Sequence, residues 1–169
     1  MNRTQWTAAV LLAGMVVGLA GCQDKAAISK EVPRPLHLLL PRGLMFHFFT
    51  KTNRTFDDAG GIRGMEVYLQ TSDAFDDANK AFGQFRIEMY THQPRSEDPK
   101  GSQVAVWTVD LTDPKDNLKH WDSNARAYRF KLEWKRGVPV GQKFVLAAVY
   151  TSPFRKDRLT TEQVFISGE

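Results

Sequence analysis

The length of 169 residues, the hydrophobic fraction of 42% and the charged fraction of 25% describe a chain with one folded domain. They argue against global disorder, a collagen-like repeat and a multi-span membrane protein. The formal net charge is +4 at pH 7, and the single cysteine excludes an internal disulfide and a structural zinc site built from several thiolates. We therefore expect side-chain packing to stabilise the fold.

The first 21 residues have the pattern of a secretory signal peptide. Arg3 is the charged side chain of a short polar start, and residues 7–20 form an almost unbroken apolar run that ends in small residues. A membrane-spanning helix needs roughly 20 consecutive apolar residues, and this run is shorter. The sequence therefore predicts a leader that is removed, and not a permanent membrane span.

A cysteine directly follows this run. The segment Leu19-Ala20-Gly21-Cys22 resembles the lipobox of bacterial lipoproteins. The resemblance implies that the Cys22 thiol receives a diacylglycerol group, that signal peptidase II cleaves after Gly21, and that the new amino group is acylated. Two or three acyl chains give stable attachment to a membrane, whereas one chain does not. A plain secretory signal that happens to precede a cysteine is the alternative interpretation.

Residues 22–35 are predicted to be a lipidated N-terminus and linker. They mix charged and small residues with Pro33 and Pro35 and lack apolar periodicity, which is typical of extended linkers. Gln23 stands where Asp acts as the inner-membrane retention signal in the best-known Gram-negative lipoproteins. The resemblance therefore favours the outer membrane of the cell envelope. No residue assigns the leaflet, and we favour the periplasmic face over the cell surface.

Residues 36–169 alternate between apolar and polar side chains with the period of two that is typical of β-strands. Seven strands are predicted, over residues 36–49, 62–71, 81–92, 103–111, 128–134, 143–151 and 159–166. Pro41 interrupts the first strand, which predicts an edge strand or two short pieces. The sixth strand is apolar on both faces, as expected of a strand in the centre of a packed sheet.

One short helix is predicted between the fourth and fifth strands, in residues 112–121. Asp113 is a favourable capping residue, and Pro114 suits the first helical position. Seven strands with one helix predict an all-β fold, an antiparallel β-sandwich, with a barrel as the alternative. The last two strands and their connection resemble the final hairpin of immunoglobulin-like and fibronectin-like domains, and this resemblance implies architecture without functional residues.

Acidic residues follow the second and fourth predicted strands. If successive strands are antiparallel, the carboxylates of Asp73, Asp76, Asp77, Asp113 and Asp116 meet at one end of the sandwich, where they could bind calcium. Turn and capping roles explain the same residues, and we favour them because no spacing matches a known calcium-binding loop. The prediction is therefore a domain without a metal site and without a cofactor.

Basic residues form two clusters. They are Arg126, Arg129, Lys131, Lys135 and Arg136, and then Arg155, Lys156 and Arg158. Outside the cytoplasm such clusters favour lipid head groups, lipopolysaccharide, acidic glycans or acidic proteins over nucleic acid. Glu133 and Asp157 interrupt the clusters, so a solvated strand face and a solvated hairpin tip are the simpler interpretation.

No familiar catalytic motif occurs, and the four histidines are far apart in sequence. We therefore expect a non-enzymatic, membrane-anchored envelope lipoprotein with a binding or assembly role, whose partners are membrane lipid through Cys22 and an envelope protein or glycan, without nucleic acid. The alternatives are a calcium-dependent or carbohydrate-binding module and an uncharacterised hydrolase. Trp107 and Trp134 are expected in the core, whereas Trp121 is the tryptophan most exposed to a ligand.

Overall fold

The computed structural model describes residue 33 and residues 35–56, 63–134 and 139–168. The predicted signal peptide, its cleavage site after Gly21 and the predicted lipid attachment site Cys22 lie outside these residues, as do Lys135 and Arg136. Within the described ranges, no helix is long and apolar enough to cross a membrane.

The described residues are mostly strand. In chain order the elements are a 3-10 helix (Leu36–Leu39), β1 (Gly43–Phe46), β2 (Lys51–Thr55), β3 (Arg63–Ser72), β4 (Ala78–Asn79), β5 (Gln84–His92), β6 (Lys100–Asp110), α1 (Pro114–His120), β7 (Trp121–Asp122), β8 (Ala127–Glu133), β9 (Lys143–Thr151) and β10 (Leu159–Ile166). The long elements match the predicted strands two to seven to within a few residues. The helix prediction is confirmed.

The strands form two antiparallel sheets. In the first sheet β3 is central, with β1 and β2 along one edge, β8 and β4 along the other, and β7 beyond β8. In the second sheet the order is β10-β9-β5-β6. The prediction of an all-β antiparallel sandwich is therefore confirmed, and the chain does not form the alternative barrel. The fourth predicted strand, β6, joins the second sheet and forms one of its edges.

The core lies between the sheets because each long strand turns alternate side chains inward. The large inward side chains are Met65, Val67, Leu69, Tyr128, Phe130 and Leu132 from the first sheet, and Phe85, Ile87, Met89, Phe144, Leu146 and Tyr150 from the second. The Phe85 ring lies 5.5 Å from the Phe130 ring and 5.0 Å from the Tyr150 ring, so it packs against both sheets. As predicted, β9 is the central apolar strand, between β10 and β5.

The first predicted strand differs most from the structure. Residues Leu36–Leu39 form a 3-10 helix, with Leu36 N–H donating to the Pro33 carbonyl oxygen at 2.9 Å. Within the predicted strand, only Gly43–Phe46 form β1, and residues 47–50 form a loop before β2 begins. Residues 36–40 are mostly apolar and do not alternate strictly with polar residues, so they do not define one buried and one exposed face as a half-buried strand does.

The helix α1 begins as its sequence predicts. Asp113 Oδ1 accepts hydrogen bonds from Lys115 N–H at 2.7 Å and Asp116 N–H at 3.2 Å, and Pro114 occupies the first helical position. At the other end, His120 Nδ1 lies 3.2 Å from the Arg129 carbonyl oxygen on β8. This contact, and the 5.2 Å between the His120 ring and the core ring of Phe130, place the last turn of α1 alongside β8.

Candidate functional site

The sandwich presents two broad surfaces, the outer face of the first sheet and the outer face of the second sheet. We call them the first face and the second face. Their side chains come from the strand positions that alternate with the core positions, so the same period of two that builds the core also builds these surfaces. The two faces differ in chemistry.

The first face carries an exposed aromatic loop, residues 47–50, between β1 and β2. The loop is fixed to β3, because His47 N–H donates to the Tyr68 carbonyl oxygen at 2.9 Å and Thr50 Oγ1 accepts from Tyr68 N–H at 3.1 Å. The Phe48 side chain is 80% exposed. Its ring lies 4.4 Å from that of Phe49, which lies 5.9 Å from the nearly buried Tyr68 ring. The sheet thus supports a protruding aromatic pair.

Basic side chains lie next to the aromatic loop on the same face. Arg129 on β8 is the cross-strand neighbour of Tyr68 on β3. Arg129 also lines a cavity of about 370 Å³, together with Lys119, His120 and Lys131. We call this cavity the basic pocket. The hydrogen-bond contact between His120 and the Arg129 carbonyl oxygen keeps the helix side of this pocket against the sheet side. Four basic residues from two elements therefore surround one concave site.

Glu66 is the carboxylate at the centre of the first face. Its carboxylate lies 3.6 Å from Arg54 Nε and 4.0 Å from Arg129 Nε, and its cross-strand neighbours are Lys51 and Lys131. Because one carboxylate is surrounded by four cations, this part of the surface keeps an excess of positive charge.

The second face carries opposite charges that are bonded to one another. Along β5, Arg86 Nε donates to Glu88 Oε1 at 2.5 Å, and the Tyr90 hydroxyl donates to Glu88 Oε2 at 2.6 Å. The Tyr90 hydrogen bond is the main reason that the pKa of Glu88 is lowered, and the same bond raises the pKa of Tyr90. Gln103 Nε2 on β6 donates to the Tyr90 hydroxyl at 3.2 Å, which extends the network to the next strand.

A second cavity lies within this network. It has a volume of about 400 Å³, with Ala147 and Val149 of the central strand β9 among the residues that line it. Lys100 Nζ donates to Glu162 Oε2 at 2.7 Å, and this hydrogen bond raises the pKa of Lys100. We call this site the second-face cavity. The charged groups that line it, Glu88, Lys100 and Glu162, are all hydrogen-bonded to other side chains.

Next to the cavity, β6 forms an edge of the second sheet. This strand has 11 residues and pairs with β5 alone among the described strands. Val104 and Val106 are exposed on its outer side. A long edge strand with exposed valines presents backbone hydrogen-bonding groups and apolar side chains together, which is a surface that can pair with another chain.

The acidic residues act as the turn and capping residues that we favoured. Asp73 Oδ1 accepts hydrogen bonds from Phe75 N–H at 2.8 Å and Asp77 N–H at 3.2 Å, and Asp113 caps α1. In the part of the chain that the structure describes, no group of three or more His, Cys, Asp or Glu side chains is arranged to hold a metal ion.

The tryptophans pack against the core and do not form an open platform for sugar rings. Trp107, Trp121 and Trp134 are all partly buried against it. Trp121, which we expect to be the most exposed of the three, is partly buried like the others: its ring lies 5.1 Å from the Tyr128 ring, and the Lys80 ammonium group lies 5.5 Å from its centre. These contacts follow from the short hairpin β7–β8, which the sequence pattern did not indicate.

The structure divides the predicted basic clusters. Arg129 and Lys131 lie together at the basic pocket, whereas Arg126 donates to the Ala78 carbonyl oxygen at 3.1 Å and Arg155 donates to the Pro41 carbonyl oxygen. Lys119 and His120 on α1 also line the pocket, and the sequence pattern did not predict that they would. Their position near the end of a predicted helix that precedes the basic strand was the signal for it.

Comparison with known proteins adds no relative. No protein-family model, no curated protein and no solved structure matches the chain. The aromatic loop, the basic pocket and the second-face cavity are therefore the observations from which a function has to be argued.

Proposed function

We propose that the chain is a lipid-anchored lipoprotein of the bacterial envelope, in which a non-catalytic β-sandwich binds an envelope partner. The segment Leu19-Ala20-Gly21-Cys22, with its resemblance to the lipobox, supports the anchor. Gln23 supports an outer-membrane location on the periplasmic side. The observation that carries the binding role is the second-face cavity beside the free edge of β6.

The second face suits a protein partner better than a glycan. The exposed Val104 and Val106 provide apolar contact area, and the edge of β6 can add a strand from another chain. The polar groups of Glu88 and Glu162 already have hydrogen-bond partners, so a partner does not have to order them on binding. The three described tryptophans, which could stack on sugar rings, are instead partly buried against the core.

The anchor is tested by mass spectrometry of the natural product. The expected species begins at Cys22 and carries the mass of a diacylglycerol group and further acyl chains. Globomycin, which inhibits signal peptidase II, should cause the precursor to accumulate. A protein with a free thiol at Cys22, or normal processing in the presence of globomycin, would show that the chain is not a lipoprotein.

The binding surface is tested by photocrosslinking in the native envelope. A benzophenone amino acid at position 106 should capture a defined protein partner. The same probe at position 118 is the matched control, because Leu118 is also exposed but lies on α1, which packs against β8 of the first sheet. Equal products at positions 106 and 118, or no product at position 106, would contradict a partner site on the second face.

A further inference from the structure

The aromatic loop and the basic pocket are continuous on the first face. Phe48 contacts Phe49, Phe49 contacts Tyr68, and Tyr68 is the cross-strand neighbour of Arg129, which lines the pocket. On the far side, Lys131 also approaches the Phe56 ring, with its ammonium group 5.8 Å from the ring centre. The exposed rings of Phe48 and Phe49 and the cations Arg129 and Lys131 therefore share one surface, with the buried ring of Tyr68 between them.

This combination matches the boundary of an anionic bilayer. Exposed phenylalanine side chains of interfacial proteins bury at the boundary between head groups and acyl chains, and arginine and lysine side chains are attracted to anionic lipids. We propose that the first face docks on a membrane that contains anionic phospholipid, with a lipid phosphate in the basic pocket and with Phe48 and Phe49 at the edge of the acyl region. This inference rests on the proposed lipid anchor and deepens it by naming the membrane-facing surface.

Charge separates the first face from the other candidate surfaces. On the second face, Arg86 and Lys100 are bonded to Glu88 and Glu162, so their charge is largely balanced. On the first face, the carboxylates of Glu66 and Glu133 lie among a larger number of cations, which are Lys51, Arg54, Arg129 and Lys131, and the lining of the basic pocket adds Lys119 and His120. Electrostatic attraction to anionic lipid therefore favours the first face.

The linker keeps this surface near the membrane. Residues 22–35, fully extended at about 3.3–3.6 Å per residue, reach at most about 50 Å. A lipid anchor at Cys22 would therefore hold the domain at a high local concentration over the bilayer, so a weak docking surface suffices to orient it. Docking by the first face turns the second face, on the opposite side of the sandwich, away from the lipid and toward the periplasm.

The end of the sandwich at which the linker enters is a competing membrane contact. Leu36, Leu39 and Phe75 are exposed there, and Ala74 N–H donates to the Leu38 carbonyl oxygen at 3.0 Å, which joins the 3-10 helix to the loop after β3. This end has apolar groups but also has the carboxylates of Asp73, Asp76 and Asp77 in the same loop. It would give end-on docking, which experiment can distinguish from docking by the first face.

The test uses the full lipidated protein in vesicles of phosphatidylcholine, with or without phosphatidylglycerol. Because acylation blocks Cys22, an introduced cysteine accepts a single nitroxide label. Labels are placed by Phe48→Cys on the first face, Val106→Cys on the second face and Phe75→Cys at the linker end. The relative accessibility of each label to oxygen and to a water-soluble nickel complex measures its depth.

The label at position 48 should move into the bilayer when phosphatidylglycerol is present, with at least a several-fold rise in the ratio of oxygen to nickel accessibility. The label at position 106 should stay in water under both conditions. A water-exposed label at position 48, or immersion of the label at position 75 in its place, would overturn the proposal. Immersion of position 48 without dependence on phosphatidylglycerol would overturn the role of the basic pocket.

Two double variants with equal loss of charge isolate the basic pocket. Arg129→Gln with Lys131→Gln should abolish the phosphatidylglycerol-dependent immersion of the label at position 48. Arg86→Gln with Lys100→Gln, on the second face, should leave it unchanged. If both double variants lost this immersion equally, the net charge of the domain, and not the first face, would be responsible for binding to anionic lipid. Mass spectrometry of the same samples separates this outcome from failure of the anchor, since an unacylated Cys22 would itself take the label.

Discussion

The two outer faces of the sandwich are built by the same alternation of side chains, but their charges are arranged differently. On the second face, Arg86, Glu88 and Tyr90 follow one another at every second position of β5 and bond in a row. On the first face, Arg129 and Lys131 occupy the equivalent spacing on β8 and repel each other. One face therefore satisfies its charges within the protein, whereas the other keeps charge available for an external anion.

The aromatic residues follow the same division. On the second face, Tyr90 is held by Glu88 and Gln103 through its hydroxyl group. On the first face, Phe48 and Phe49 have no polar group to anchor and contact one another above Tyr68. The polar groups of the second face are thus paired within the protein, whereas the first face exposes two rings that would gain by leaving water.

The first prediction tests whether the aromatic loop is dispensable for folding, as an external docking surface should be. Phe130→Ala removes a core ring that is 1% exposed, and should lower the free energy of unfolding by about 3–5 kcal/mol. Phe48→Ala removes an exposed ring of equal size and should change the free energy of unfolding by less than about 0.5 kcal/mol. Urea denaturation of both variants gives the two values.

The pair of variants is its own control, because the chemical change is identical. A loss of several kcal/mol in Phe48→Ala would mean that the aromatic loop stabilises the fold, and its exposure would then need no membrane to explain it. A small loss in Phe130→Ala would instead mean that the described core is wrong.

The second prediction concerns the hydroxyl group that links the core to the basic pocket. The Tyr128 hydroxyl accepts from Ala81 N–H at 2.8 Å and lies 2.9 Å from Asn117 Oδ1 on α1. Tyr128→Phe leaves Ala81 N–H without this partner and should lower the free energy of unfolding by about 1–3 kcal/mol. It should also loosen α1, which carries Lys119 and His120 to the pocket, and hydrogen exchange of the α1 amides should increase.

The pH dependence of this effect follows from burial, which raises the pKa of Tyr128 to about 12. The hydroxyl of the unfolded chain loses its proton at about pH 10, so the folded form keeps a proton that the unfolded form has lost. The stabilisation is thus complete below about pH 10 and is lost as the pH rises toward about 12. The stability difference between the protein and Tyr128→Phe should shrink over this interval, and a constant difference would contradict the burial of the hydroxyl group.

The contrast between the faces was only partly readable from the sequence. The alternation at Phe85, Ile87 and Met89 predicted the core face of β5, and it placed Glu88 and Tyr90 together on the outside. The sequence predicted the aromatic loop as part of a strand. Its actual shape depends on the contacts of His47 and Thr50 with Tyr68, and local periodicity does not show contacts between residues that are distant in sequence. The pairing of Lys100 with Glu162 likewise depends on strand order, which periodicity does not give.

The smallest expected effects come from the matched carboxylates of the two faces, Glu88 and Glu66. In Glu88→Gln the pKa of Tyr90 should fall toward its ordinary value of about 10, because the hydrogen bond to the carboxylate is the main cause that raises it. NMR of labelled tyrosine, with Tyr90→Phe to assign the signal, measures this pKa. The free energy of unfolding should fall by about 0.5–1.5 kcal/mol near neutral pH.

The stabilisation by Glu88 depends on pH in the opposite direction from the stabilisation by Tyr128. The pKa of Glu88 is lowered from 4.5 in the folded form, so its stabilisation is present above about pH 4.5 and is lost as the pH falls through the lower folded value. Glu88→Gln should therefore converge with the unmodified protein in acid. Glu66→Gln should leave the Tyr90 titration unchanged and should alter the free energy of unfolding by less than about 1 kcal/mol. It should strengthen the phosphatidylglycerol dependence of docking, because it removes the carboxylate that lies among four cations. If Glu66→Gln instead weakened docking, the cations of the first face would need Glu66 to hold them in place, and the two faces would be organised alike.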